Sequence, residues 1–242
     1  MSGKKKIILI LIAIVVIVAG VLIVYSMPGY YANSTAAAVL EEQHDGVTIT
    51  ETKNKMIVFE PDEIQAGLVF YPGAKIQYQA YAPLLEKLAE NDILCILYKM
   101  PFNLAILGAD SADSAFEAYP EVTDWYICGH SLGGVAAGTY IESNPESFDG
   151  LILLASYVTK DISDTGIKAL SIYGTKDKIL EADEYEANRG NLPDGYKEVL
   201  IEGGNHAYFG CYGDQDGDGI ARITNEEQID TTVSEILQLI NS

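Results

Sequence analysis

The chain is short of cysteine, histidine and positive charge, and each shortage excludes something. Its 242 residues hold three cysteines, three histidines, and fifteen cationic side chains against thirty-five acidic ones. Cysteines at 95, 128 and 211 are too few and too scattered for a disulfide framework, and the odd count leaves at least one without an intrachain partner. Cys95 and Cys128 fall in apolar, strand-like runs and are expected in the core, while Cys211, in a loop, is the candidate for a reactive thiol. A formal charge of −20 argues against nucleic acid as a main partner, because phosphate binding needs clustered cations. Beyond the first 46 residues there is no internal repeat and no low-complexity block, and a hydrophobic content of 48% suffices for a substantial core.

The N-terminus stands apart from the rest. Lys4, Lys5 and Lys6 precede eighteen uncharged residues, 7–24, that contain one glycine and no proline. That length reaches the lower limit for spanning a bilayer. It exceeds the usual apolar core of a secretory signal, about 7–15 residues, and the small residues at 36–38 come late for a cleavage site. The expectation is an uncleaved membrane anchor with its lysines cytoplasmic and the remaining chain outside; a cleaved signal is the alternative. Residues 25–46 show no clear period and read as a tether, which leaves 47–242 as one α/β domain.

Within that domain, short apolar runs alternate with helical patterns. Strands are predicted at 47–50, 56–59, 68–71, 93–98, 125–128, 151–154, 169–173 and 197–201. The middle runs, such as "ILCILY" and "LILL", are apolar on both faces, as expected of parallel strands covered by helices on both sides. Helices are predicted over "YQAYAPLLEKLAE", over much of 109–118, after Ser131, and over the last seventeen residues before Asn241, where Thr224 and Glu227 have the form of a capping box. Strands alternating with helices imply a mostly parallel sheet.

The most informative stretch is "WYICGHSLGGVAAG". A strand ends at Cys128, Gly129-His130-Ser131-Leu132-Gly133 follows, and a helical run succeeds it. This is the G-x-S-x-G nucleophile elbow in strand–turn–helix context. Gly129 and Gly133 relieve a turn too tight for side chains, and Ser131 is the candidate nucleophile; an ordinary serine in a glycine-rich turn is the bland reading. A serine needs a base, and the base needs an orienting carboxylate, which after such an elbow come in the order acid, then histidine. Asp177 lies just past the strand "ALSIYG", and His206 lies just past "KEVLIEGG". His44 falls in the tether and His130 inside the elbow, where a structural role is expected, so His206 is the base candidate. Asp161 and Asp183 are less well placed than Asp177. The oxyanion donors are expected to be the backbone N–H of Leu132 and that of Ala74, in "FYPGAKIQ", where Gly73 lets the chain turn toward the site.

These residues resemble the α/β-hydrolase superfamily over roughly 47–240. More narrowly, "FYPGAK", "YAPLLEKLAE", "CGHSLGG" and "GGNHAYFG" resemble membrane-anchored or secreted hydrolases near the dienelactone-hydrolase-like branch. The resemblance implies an eight-stranded sheet and a Ser-Asp-His triad, and no particular substrate. Dienelactone hydrolase itself uses a cysteine nucleophile, which makes that activity doubtful for a chain with Ser131. Many relatives carry Pro72-Gly73 as His-Gly, a departure that bears on the Ala74 assignment. Only about 14 residues separate the sixth and seventh predicted strands, too few for the helical lid domain that many lipases insert there. Tyr157, Tyr208, Phe209 and Tyr212 are candidates to line the opening, with packing as their ordinary alternative.

One motif is left over. Asp214, Asp216, Asp218 and Gly219 match the opening of an EF-hand loop, but the twelfth position, where a bidentate glutamate belongs, is Asn225. A solvated acidic turn is the expectation, with calcium as the alternative and no other metal or cofactor required. The combined expectation is an outward-facing, membrane-anchored serine hydrolase acting on small-molecule carboxylic esters. An acyltransferase or peptidase on the same triad is the enzymatic rival, and a catalytically silent binding module is the non-enzymatic one.

Overall fold

A computed structural model describes residues 27–52 and 56–242. The apolar run 7–24 lies outside the described residues, and among those described no helix is long and apolar enough to cross a membrane.

All eight expected strands form, and they join one sheet in the order β1-β2-β4-β3-β5-β6-β7-β8. β1 (Val47–Glu51) and β2 (Met56–Pro61) run antiparallel to their neighbours at one edge. β3 (Ala66–Tyr71), β4 (Ile93–Tyr98), β5 (Trp125–His130), β6 (Gly150–Leu154), β7 (Lys168–Gly174) and β8 (Lys197–Ile201) are parallel. Because successive side chains point to opposite faces, β3 feeds two cores: Leu68 and Phe70 enter one, Val69 and Tyr71 the other. Both faces need covering, which explains why β3, β4 and β6 are buried along their whole length.

Helices supply the cover. On one face lie α1 (Ser34–Glu41), α2 (Ala82–Ala89) and the final helix α6 (Asn225–Ile240). On the other lie α3 (Asp113–Ala118) and α4 (Leu132–Ser143), with α5 (Ala182–Asn188) between β7 and β8 sending Tyr185 into a buried hydrogen bond with Ser171. The Thr224–Glu227 capping box is present at the start of α6, with Glu227 Oε2 accepting the Thr224 N–H at 2.7 Å. The predicted helix over 109–118 is split into a tight turn, Ala109–Ala112, and α3. Tyr71 Oη sets that turn by donating to the Ala109 carbonyl and accepting the Ala112 N–H.

The tether reading of 25–46 needs correction where those residues are described. Asn33 caps α1 by accepting the Thr35 and Ala36 N–H groups, and Ala36 and Val39 are buried. Tyr30 bridges to Ile76, the Asn33 N–H donates to the Cys211 carbonyl at 2.8 Å, and His44 pairs with Glu86 at 2.6 Å. The segment is therefore packed onto the domain. β6 and β7 are joined by a connection without a helix, and no lid domain is inserted there among the described residues.

Candidate active site

β5 delivers Ser131 to the C-terminal edge of the sheet with φ 52° and ψ −125°, a left-handed backbone that costs a non-glycine residue about 1–3 kcal/mol. The surroundings hold it there. The Ser131 N–H donates to the Leu154 carbonyl at 2.9 Å, and its own carbonyl accepts from Ser156 Oγ at 2.6 Å and from the Gly134 N–H at 3.0 Å. The flanking glycines are sterically required. A Cβ on Gly129 would sit 2.4 Å from the Gly133 carbonyl carbon, and one on Gly133 would sit 2.1 Å from the Tyr71 carbonyl oxygen.

Asp177 follows β7 and His206 follows β8, so the sheet's parallel order brings both loops to the same edge. His206 Nδ1 lies 2.9 Å from Asp177 Oδ2, and both side chains are only 2% exposed. The other carboxylate oxygen, Oδ1, accepts the Ile179 and Leu180 N–H groups at 2.8 Å each, so Asp177 cannot swing away without abandoning three hydrogen bonds. With Nδ1–H donating to Asp177, Nε2 is the basic nitrogen. It is buried and has no hydrogen-bond partner among the described residues. His206 and Ser131 both line a cavity of 220 Å³, together with Leu132, Ala155, Tyr157 and Glu181. A larger depression of 530 Å³ lies at the opposite ends of β7 and β8, lined by Lys168, Lys197 and Tyr196, and it brings no serine and histidine together. The smaller cavity is therefore the candidate site.

Leu132 opens α4, where first-turn N–H groups lack intrahelical acceptors. Ala74 sits in the turn after β3. Gly73 N–H donates to Tyr81 Oη at 3.0 Å and Lys75 N–H to the Asn103 carbonyl at 2.9 Å, while the Ala74 N–H between them makes no hydrogen bond among the described residues. Ala74 is not among the residues lining the cavity; it stands one position beyond Gly73, whose backbone packs against His130.

His130 makes buried hydrogen bonds through both ring nitrogens. Nε2 lies 3.1 Å from the carbonyl oxygen of His206, which can only accept, so Nε2 carries the proton. Nδ1 is then the acceptor for Tyr81 Oη–H at 2.8 Å, and Tyr81 in turn accepts from Gly73. Burial, with the His206 imidazole beside it, holds His130 well below the ordinary histidine value and keeps it neutral. The result is one directed chain from the Gly73 turn through the elbow to the backbone of His206. No local motif announces it, because Tyr81 is 49 positions from His130.

Other expectations fare differently. Tyr157 lines the cavity, whereas Phe209 and Tyr212 are buried in the core and Tyr208 is partly buried outside the lining. Cys211 is not a reactive thiol: it is buried, donates to Asn225 Oδ1 at 2.8 Å, and burial pushes it up to about 11. Among the described residues Asp161 accepts only from Ser163, and Asp183 is exposed on α5. In the aspartate run, Asp214 and Asp216 are exposed, while Asp218 turns inward onto backbone N–H groups. Asn225, at the twelfth position, donates to the Tyr208 and Gly210 carbonyls. No group of three histidine, cysteine or acidic side chains able to hold a metal occurs among the described residues.

Comparison with known proteins places this geometry in context. The sequence profile described as "Alpha/beta hydrolase family" matches residues 67–230. Over 141 residues the chain is 23% identical to a tRNA N6-adenosine threonylcarbamoyltransferase of Porphyromonas gingivalis, in an alignment covering 57% of this chain; it spans 40% of the length of that curated relative. Among solved structures, TT1662 from Thermus thermophilus is similar with a TM-score of 0.60 at 13% identity, covering 81% of this chain and 99% of that one. Est1E from Butyrivibrio proteoclasticus is similar with a TM-score of 0.57 at 14% identity, covering 81% and 100%. At these identities the likeness is one of fold.

Proposed function

Since the chain belongs to the alpha/beta hydrolase family, we propose that it is a serine hydrolase that cleaves carboxylic esters through an acyl-enzyme. The observation that carries this reading is the unpartnered, buried Nε2 of His206, whose ring is held by Asp177 and shares a cavity with Ser131. Nε2 takes the Ser131 hydroxyl proton as Oγ attacks the ester carbonyl. The oxygen that becomes negative is met by the Leu132 and Ala74 N–H groups; loss of one such donor commonly costs about 10²–10³ in kcat. His206 then gives the proton to the departing alcohol, and a water molecule, activated by the same nitrogen, releases the acid and restores Ser131. Asp177 holds the tautomer that makes Nε2 the base and stabilises the imidazolium. A 220 Å³ cavity suits a small acyl group.

Location belongs to the same proposal. The run 7–24 with Lys4–Lys6 before it would anchor the domain outside the cytoplasmic membrane. A fluorophosphonate tests the chemistry directly. Intact mass should show a single adduct that disappears in Ser131→Ala. An adduct elsewhere, or none on folded protein, would sink the assignment.

A further inference from the structure

We propose that Asp218 is a positioning residue, whose carboxylate fastens the loop carrying Asp177 to the loop carrying His206. The 2.9 Å bond between those two side chains joins separate loops, one after β7 and one after β8, so its length depends on how the loops are registered. Asp218 Oδ2 accepts the N–H of Ala207, the residue after His206, at 2.9 Å. Asp218 Oδ1 accepts the N–H of Lys178, the residue after Asp177, at 3.2 Å, and also the Gly219 N–H at 2.7 Å. One carboxylate thus spans both loops.

The next residue repeats the pattern on the other side. The Gly219 carbonyl accepts Asn205 Nδ2–H at 2.9 Å, and a Cβ on Gly219 would fall 1.8 Å from the Lys176 carbonyl oxygen. Asn205 and Lys176 precede His206 and Asp177. The Asp218–Gly219 pair therefore touches both chain neighbours of each functional side chain. A carboxylate is suited to this place because it only accepts, and several N–H donors converge on it.

Each loop also has attachments that do not involve Asp218. Gln228 exchanges two hydrogen bonds with the Asn205 backbone, at 3.0 and 2.8 Å. The Asp177 N–H donates to Gly174 at 3.1 Å, and the Lys176 N–H donates to Gly204 at 2.8 Å, a direct tie between the two loops close to their strands that leaves the segments beyond it to Asp218. Removing the Asp218 carboxylate should therefore leave the loops folded and relax their mutual register. A misplacement of about 1 Å in a catalytic group can cost about 10²-fold in rate.

This inference rests on the hydrolase reading, and the experiment separates the two. The full chain in detergent would be assayed on a short p-nitrophenyl ester, and the His206 Nδ1 proton followed by NMR. In Asp218→Ala, kcat should fall about 10²-fold with KM nearly unchanged, the Nδ1–H resonance should shift or broaden, and the melting temperature should stay close to that of the parent. Asp218→Asn, which keeps one acceptor oxygen, should fall between the two. Asp216→Ala, in the same loop but exposed, should leave kcat intact. Parent-like kcat and Nδ1–H signal in Asp218→Ala would overturn the proposal. If Asp218→Ala does not fold, parent-like values in Asp218→Asn would overturn it. Full activity in Ser131→Ala would remove the hydrolase reading alone, because the Nδ1–H signal reports on the loops without any substrate.

Discussion

His130 Nε2 donates to the backbone carbonyl of His206 at 3.1 Å, so the residue before the candidate nucleophile grips the backbone of the candidate base. The same ring accepts from Tyr81, which accepts from Gly73 next to the candidate oxyanion donor. The elbow, the candidate base and the turn of the candidate oxyanion donor are thereby joined through one chain of hydrogen bonds.

Tyr81→Phe tests that connection. The ring stays and the hydroxyl goes, which leaves the Gly73 N–H and His130 Nδ1 without their buried partner. Such losses cost about 1–3 kcal/mol in stability. Ester turnover should fall about tenfold, one power of ten for roughly 1.4 kcal/mol in the barrier. Denaturant unfolding and steady-state kinetics on the same preparation would show both; unchanged values in both would remove the link.

Acid should weaken the fold through His130. The unfolded imidazole titrates near its ordinary value of 6.5, whereas burial holds the folded one well below it. Above 6.5 both states are neutral and the contribution is complete. As the pH falls below 6.5, the unfolded chain binds a proton that the folded chain refuses, and stability drops by about 1.4 kcal/mol per pH unit until the folded value is reached. Urea titrations between pH 5 and 8 should show that slope, and His130→Gln should flatten it. An equally steep slope in the variant would assign the proton to another group.

Asp177→Asn replaces an acceptor with an amide that favours the wrong histidine tautomer. A loss of about 10⁴-fold in kcat is expected, with the fold retained because Asn Oδ1 can still accept the Ile179 and Leu180 N–H groups. Near-parental kcat in a folded variant would mean that another carboxylate orients His206.

Calcium should do little. Asp218 is already occupied by the Lys178 and Ala207 N–H groups, and Asn225 supplies no carboxylate at the twelfth position. Melting temperatures with millimolar calcium and with a chelator should agree within about one degree, since an unbound ion stabilises nothing. A rise of many degrees at micromolar calcium would make the loop a metal site.

The sheet was legible because its central strands are apolar on both faces, a pattern few other structures produce, and the strand–turn–helix geometry at Ser131 was legible because the elbow is a local event. α1 was not, since only Ala36 and Val39 of its eight residues are buried and an alanine-rich stretch shows little period. Cys211 looked like a loop thiol because sequence carries no sign that its backbone is taken by Ala80 and Asn33 on either side. Asp218 read as part of a solvated acidic turn, with a calcium ligand as the alternative. Its actual bonds reach Lys178, 40 positions away, and such pairings follow from how loops meet and not from spacing.

The plain connection between β6 and β7 has a kinetic meaning. Among the described residues that connection holds no inserted helix that would have to open before a substrate enters or a product leaves. Where such gates exist, their motion often sets the turnover rate. Here progress curves on a soluble ester should start without a lag, and the slow step should fall within acyl transfer itself, so that changing the leaving alcohol or the acyl group moves kcat directly.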